Sequence, residues 1–245
     1  MRSEIPVDRG PWGGWLDVPE PKVGTGRGPW VELSHVITEE LSRSPAFPPP
    51  AFEKIEELPM DTANVTQIRM TVHHGTHVDA PSHFYLDGPT IDAVPLERLH
   101  GEGVVLDVRT DAGGVIGVDT IIRGGPAIQR GDIVVLDTGS WPHIDSERYA
   151  DAPSLSVEAA SWLVQRGAKL VGIDASTPDL PAHRRPEGFD WPVHQILLGN
   201  GVLVAEHMTG LTSLRGRRAE FVFGALPIAG ADAGPARVFA REAGS

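Results

Sequence analysis

From residue 31 onward the chain reads as short apolar runs broken by Gly, Pro and Asp. "WVELSHVI" (30–37) and "VTQIRMTVHH" (65–74) alternate apolar and polar positions, the period of a half-buried strand. "GVVLDVR" (103–109) and "DIVVLDTG" (132–139) are continuously apolar at their centres, which predicts strands buried on both faces. "KLVGIDA" (169–175), "GVLVAEHM" (201–208), "AEFVFGALPI" (219–228) and "PARVFAR" (235–241) continue the β character. The period turns helical in "SLSVEAASWLVQRG" (154–167), where Val157, Ala160 and Val164 share a face. Ser156 is suited to cap its start and Gly167 to end it. Shorter helices are predicted for "GVDTIIRG" (117–124) and "WPVHQILLG" (191–199), the second with Pro192 in its first turn. The pattern predicts a single α/β domain, rich in β-structure, with a few covering helices.

The first thirty residues break this pattern. They hold six Gly, five Pro and three of the six Trp, so neither a regular helix nor a central strand is expected. The chain therefore divides into a Gly/Pro/Trp-rich arm, 1–30, and a domain, 31–245, with Trp12, Trp15 and Trp30 as apolar anchors of the arm. The 245 residues carry a formal net charge of −12, which disfavours nucleic acid and anionic membranes as partners. The absence of cysteine excludes disulfides, cysteine-ligated metals and a thiol nucleophile. The first residues lack the apolar core of a secretory signal, and no apolar run reaches the roughly 18 residues of a membrane span. A cytoplasmic protein is expected.

Chemistry-bearing groups concentrate in "TVHHGTHVDAPSHFYLDG" (71–88), with four of the ten histidines and two aspartates. A helix through His73 and His77 is disfavoured by Gly75, Thr76, Val78 and Pro81. In an extended chain Ile68, Met70, Val72 and His74 share one face, whereas His73, His77, Asp79 and His83 share the other. Imidazoles and a carboxylate on one side of a bent strand suit Zn²⁺ or Mn²⁺ and leave positions open to water. Glu206 ends the apolar run "GVLVAE" with the parity of Val202 and Val204, where a carboxylate is costly unless paired or metal-bound. His207 has the opposite parity and reads as a residue behind the ligands or at the surface.

"HHGTHVDAPSH" (73–83) fits HxGTHxDxPxH and resembles the signature of the metal-dependent cyclase superfamily, which includes bacterial kynurenine formamidase and isatin hydrolase. "LSHVI" (33–37), "DIVVLDTGSW" (132–141), "LSVEAASWLVQRGAKLVGIDASTPD" (155–179) and "PVHQILLGNGVLVAEHMTGL" (192–211) extend the resemblance over most of residues 31–240. It implies a fold of the swivelling β/β/α type and a homodimer or higher homo-oligomer. It also implies His73, His77 and Asp79 as ligands of one metal, with His194 and Glu206 completing a second site that Asp79 bridges. His83 becomes the acid/base.

A bound divalent ion lowers the pKa of its water to about 7, so hydroxide forms at neutral pH. His83 could take a proton from that water and return it to the leaving atom. The expected activity is metal-dependent hydrolysis of a small amide, formamide or lactam, at a C–N bond other than a peptide bond, with one or two Zn²⁺ or Mn²⁺ per chain. A lactonase or ring-forming and ring-opening cyclase of secondary metabolism is an alternative, and a non-catalytic metal-binding relative is another. "LDTGSW" contains D-T-G-S, but an aspartic protease needs two such aspartates, so Asp137 reads as structural. Phe47, Phe84, Arg184 and Arg185 are candidates for the substrate pocket, as are Phe52 and Tyr85, with the arginines suited to a carboxylate.

Overall fold

A computed structural model describes residues 26–44 and 46–244. Its strands are β1 (Arg27–Glu32), β2 (Ala51–Glu56), β3 (Val65–Arg69), β4 (His77–Asp79), β5 (His100–Asp107) and β6 (Val115–Ile116), then β7 (Ile133–Asp137), β8 (Ser154–Leu155), β9 (Leu170–Ile173), β10 (Leu203–Glu206), β11 (Arg217–Ala225) and β12 (Ala233–Glu242). The α-helices are α1 (Leu96–Leu99), α2 (Val118–Arg123), α3 (Glu147–Ala150), α4 (Val157–Arg166) and α5 (Pro192–Gly199). None is long and apolar enough to cross a membrane.

Eight strands form one sheet in the order β1-β12-β11-β5-β7-β9-β10-β4. Because β4 also pairs with β12, the seven strands from β12 to β4 close on themselves like a barrel. β5, β7, β9 and β10 run parallel, and the remaining neighbours in the ring are antiparallel. The continuously apolar runs are the parallel strands, because both of their faces are covered. Val105, Ile133, Val135 and Leu170 join Phe221, Phe223 and Val238 in one core. Val104, Leu106, Val134, Leu136, Val171 and Ile173 join Ala159, Ala160 and Leu163 of α4 and Val193, Leu197 and Leu198 of α5 in a second.

α4 starts and stops where its sequence says it should. The Ser156 hydroxyl accepts from the Ala159 N–H at 3.1 Å, and Gly167 ends the helix at φ 79°. α2 and α5 also lie where the helical period places them.

Two expected strands differ. The pattern over 30–37 yields β1, which begins at Arg27 and ends at Glu32; beyond it Ser34 makes an isolated bridge to Met208. Trp30 in this strand packs edge-on against Phe239 at 5.1 Å, while Trp12 and Trp15 lie outside the described residues. The pattern over 65–74 yields a strand only to Arg69, and that strand is exposed along its whole length rather than half-buried. β3 pairs with β2 in a separate two-stranded ribbon, so among the described residues no core cluster includes its apolar positions.

Candidate metal centre

The site forms where β4 meets β10. Glu206 lies opposite His77 in the register, and Val204 opposite Asp79. Alternation sends Val78 into the barrel core and turns His77 and Asp79 to the other face. On β10, Leu203 and Ala205 face the barrel core and Val204 the helices, so Glu206 shares the helix side. His194, in the first turns of α5, enters from that side. The expected carboxylate on an apolar stripe is therefore real, and histidines are its partners.

His73 and His83 arrive by turns rather than by strand parity. The chain turns at 71–76, where the His74 N–H donates to the Thr71 carbonyl at 3.2 Å. Gly75 sits at φ 68°, and a Cβ there would meet Ile37 and Leu41 at 3.2–3.3 Å. His83 ends the 3-10 turn Pro81–His83. His74 points elsewhere: it is buried, and its Nε2 donates to the Thr38 carbonyl at 3.0 Å.

Ligand-type atoms converge on Asp79. Its Oδ1 lies 3.0 Å from His73 Nδ1 and 3.3 Å from His77 Nε2, and its Oδ2 lies 3.6 Å from His194 Nε2. Glu206 lies 3.4 Å from His77 Nε2 and 3.1 Å from His194 Nε2. His73, Asp79 and His83 form one group able to hold an ion, and His77, Asp79 and Glu206 a second. Both Asp79 oxygens and His77 Nε2 are buried without a hydrogen-bond partner. Leaving such atoms unsatisfied costs about 1–3 kcal/mol each, and a cation among them removes that cost.

Outer contacts fix the rings. His77 Nδ1 donates to the Gly75 carbonyl at 2.8 Å, and His194 Nδ1 to Asp179 at 2.6 Å, so each imidazole presents Nε2 to the centre. Asp179 also accepts from the Val193 and His194 N–H groups, both at 3.0 Å, and so caps α5. One oxygen of Asp232 lies 2.8 Å from His73 Nε2 and 3.0 Å from His83 Nδ1.

Without a cation the cluster holds protons instead. Burial disfavours charge on His77, but the Asp79 and Glu206 carboxylates outweigh it and raise the imidazole to about 10. Burial would raise Asp79, but His77, His194 and His73 hold it well below the usual carboxylate range. Glu206 is likewise held at about 2 by His194 and His77 against its burial. Burial, with His73 and His194 adding to it, lowers His83 despite the nearby Asp79 carboxylate.

A cavity of about 630 Å³ opens beside these groups. Phe47, Phe84 and Arg185 line it, together with Trp191, Tyr149 and His207. The Phe47 ring stacks on His73 at 5.9 Å and Phe84 on His194 at 5.2 Å. The two arginines separate. Arg185 stacks over Trp191 at 5.0 Å at the cavity wall, whereas Arg184 is turned away, bound to the Gly113 carbonyl at 2.6 Å and to Asp151 at 2.8 Å. Arg184 is thus occupied outside the cavity, a correction to the expected arginine pair. Phe52 lies on the β2–β3 ribbon, and the Tyr85 hydroxyl donates to the Gln195 carbonyl, so neither lines the cavity.

The Cyclase family model ("Putative cyclase") matches residues 31–180. The chain belongs to this cyclase family. The kynurenine formamidase of Salinibacter ruber is 31% identical over 182 residues, which cover 74% of this chain and 82% of that protein. The kynurenine formamidase of Geobacillus thermodenitrificans is 27% identical over 224 residues, covering 88% and 99%. A solved structure described as a potential metal-dependent hydrolase with cyclase activity is 29% identical, with a TM-score of 0.73, covering 89% of this chain and 99% of that one. Isatin hydrolase A from Labrenzia aggregata, at 22% identity and a TM-score of 0.77, covers 88% and 94% and shares the fold. This cyclase-family chain thus has the sheet-dominated α/β domain that its sequence predicts.

Asp179, Asp232, Tyr149 and His207 are the site residues that the sequence did not single out for the centre. Asp232 lies 149 positions from His83, and Tyr149 lies 58 from His207. No local pattern links residues so far apart. Asp179 lies 15 positions from His194, and the acidic residue next to the start of α5 is Asp190, so no local cap signal pointed to it.

Proposed function

We propose that this protein is a metal-dependent hydrolase that cleaves the C–N bond of a small aromatic amide, foremost an N-formyl arylamine. The observation that carries this reading is the convergence of His73, His77, Asp79, His194 and Glu206 around unsatisfied buried ligand atoms, beside an aromatic-walled cavity. His73, His77 and Asp79 would hold one Zn²⁺ or Mn²⁺, and His194 and Glu206 would join Asp79 around a second. Such an ion, when bound, supplies a Lewis acid and a water that ionises near neutral pH. His83 has Nδ1 engaged by Asp232, so it works through Nε2, accepting the proton of the attacking water and returning it to the leaving nitrogen. Phe47 and Phe84, stacked on His73 and His194, hold an aryl ring flat beside the ligand set. Arg185, at the wall, suits a substrate carboxylate.

The kynurenine formamidase relatives support the formamide as the bond cleaved. The reading includes a homodimer or higher homo-oligomer in the cytoplasm. Exposed Ile55, Leu58, Met60, Val65 and Ile68, on and beside the β2–β3 ribbon, support self-association.

The test is a panel of N-formylanilines, isatin-type lactams and lactones, run with elemental analysis of metal per chain. Formanilide turnover should vanish on exhaustive chelation and return with Zn²⁺ or Mn²⁺. His77→Ala should lose at least about a thousandfold in activity, since it removes a ligand whose replacement leaves Asp79 and Glu206 unneutralised. Full activity after both treatments would end the metal reading, and preference for lactones would move the assignment to ring chemistry.

A further inference from the structure

Among the described residues, the non-glycine positions with positive φ are Trp191 at 53° and His207 at 54°, and both line the cavity beside the ligand set. Left-handed backbone is uncommon outside glycine and persists where the surroundings over-determine it. At His207 they do. Its N–H donates to the Ala175 carbonyl at 2.9 Å, and its carbonyl accepts from the Thr76 hydroxyl at 2.5 Å. Its Nδ1 lies 2.8 Å from the Tyr149 hydroxyl. Tyr149 is only 2% exposed, so its phenol hydrogen requires a protein acceptor, and His207 Nδ1 is the group that the described residues place within hydrogen-bond distance of it; on that ground the hydroxyl is assigned as the donor. A neutral imidazole that accepts at Nδ1 carries its own proton on Nε2. The ring lies 5.7 Å from Tyr149 and 6.0 Å from His77. With that assignment His207 is a neutral Nε2–H donor, held at three points, on a residue that lines the cavity.

We propose that His207 Nε2–H is the donor that receives the substrate's carbonyl oxygen as the attacked carbon becomes tetrahedral, with Tyr149 as the positioning residue that sets its tautomer. This rests on the hydrolase reading above. Attack by the water oxygen forms one C–O bond, moves the carbonyl π pair onto oxygen and gives one water proton to His83. Nε2–H hydrogen-bonds to the oxygen that gains the pair and keeps its proton. When the pair returns, the C–N bond breaks, the amine nitrogen takes the proton from His83, and the second water proton stays on the acid formed. A donor fixed before the reaction needs no reorganisation as charge develops, and removing one such donor costs about 10²–10³ in kcat.

The experiment uses the metal-loaded full chain, as wild type, His207→Asn and Tyr149→Phe, with metal per chain checked by elemental analysis. Asparagine tolerates the left-handed backbone, yet its side chain is too short to reach the place of Nε2. Tyr149→Phe removes only the hydroxyl and so guards against misfolding of the first variant. Formanilide kinetics are read beside binding of two probes by calorimetry: phenylphosphonate, which is tetrahedral and anionic, and acetanilide, which is planar. His207→Asn should lower kcat about a hundredfold with KM within about threefold, and Tyr149→Phe should lower it about tenfold. Phenylphosphonate affinity should fall by about tenfold or more in His207→Asn while acetanilide affinity changes by less than about threefold. Equal loss for both probes, or loss for neither, overturns the proposal. Should wild type turn over no formamide, the hydrolase reading fails by itself, and the ratio of the two probe affinities still decides the role of His207.

Discussion

Asp232 places one carboxylate oxygen within 3.0 Å of two imidazoles, one proposed as a metal ligand and one as the acid/base. A carboxylate that accepts from a ring nitrogen fixes which nitrogen faces the reaction, and it raises the basicity of that face. Asp232→Asn keeps the size but can offer its N–H where an acceptor is needed, so the rings are free to turn. We predict a loss of about 10–100-fold in kcat, at metal concentrations that keep the centre filled. Unchanged kcat in that variant would show that the shared oxygen has no part in orienting His83. Arg184 and Arg185 give the same lesson in reverse. They are neighbours of identical chemistry, but one is tied to Gly113 and Asp151 and the other faces the cavity.

Elements differ in how far their own sequence explains them. α4 carries its cap, its apolar face and its stop within the run 156–167, and the structure agrees at each point. α5 does not carry its cap: its first N–H groups are satisfied by Asp179, which also holds His194. Helix start and ligand orientation are therefore one arrangement. β3 has strand-like alternation without burial, since it pairs only with β2 and leaves Ile68 and Val65 exposed. If this ribbon carries the proposed self-association, Ile68→Lys should convert an oligomer to a smaller species, while the melting temperature of the subunit barely moves. Light scattering reads the mass directly, and a wild-type chain that already runs as a monomer would remove the oligomer from the proposal.

For the molecule as a whole, the buried centre links stability to pH and metal. In the metal-free protein His77 is raised from 6.5 to about 10, so its stabilising contribution is complete below about pH 6.5 and lost as pH climbs through about 10. Glu206 is lowered from 4.5 to about 2, so its contribution is complete above about pH 4.5 and lost as pH falls through about 2. From these two groups, metal-free stability should be greatest between about pH 4.5 and 6.5. Metal binding must displace the histidine protons, so it strengthens as pH rises. Thermal melts with excess Zn²⁺ or Mn²⁺ and with chelator should therefore separate more at pH 8 than at pH 6; a separation independent of pH would show that no proton is exchanged. Much of this was legible in one dimension. The parallel strands, the helices and the spacing HxGTHxDxPxH depend on local period and on residue chemistry, which the order of residues alone determines. His83 and His73 reach the cluster by turns at Gly75 and Pro81, not by the strand parity that groups them in the sequence. What only the tertiary structure decided is the company these residues keep. Asp232, Tyr149 and His207 meet the centre because the sheet closes on itself through β4 and joins strands far apart in the chain. Such pairings are set by the register of a closed ring and the packing of both its faces, and no short window of sequence contains that information.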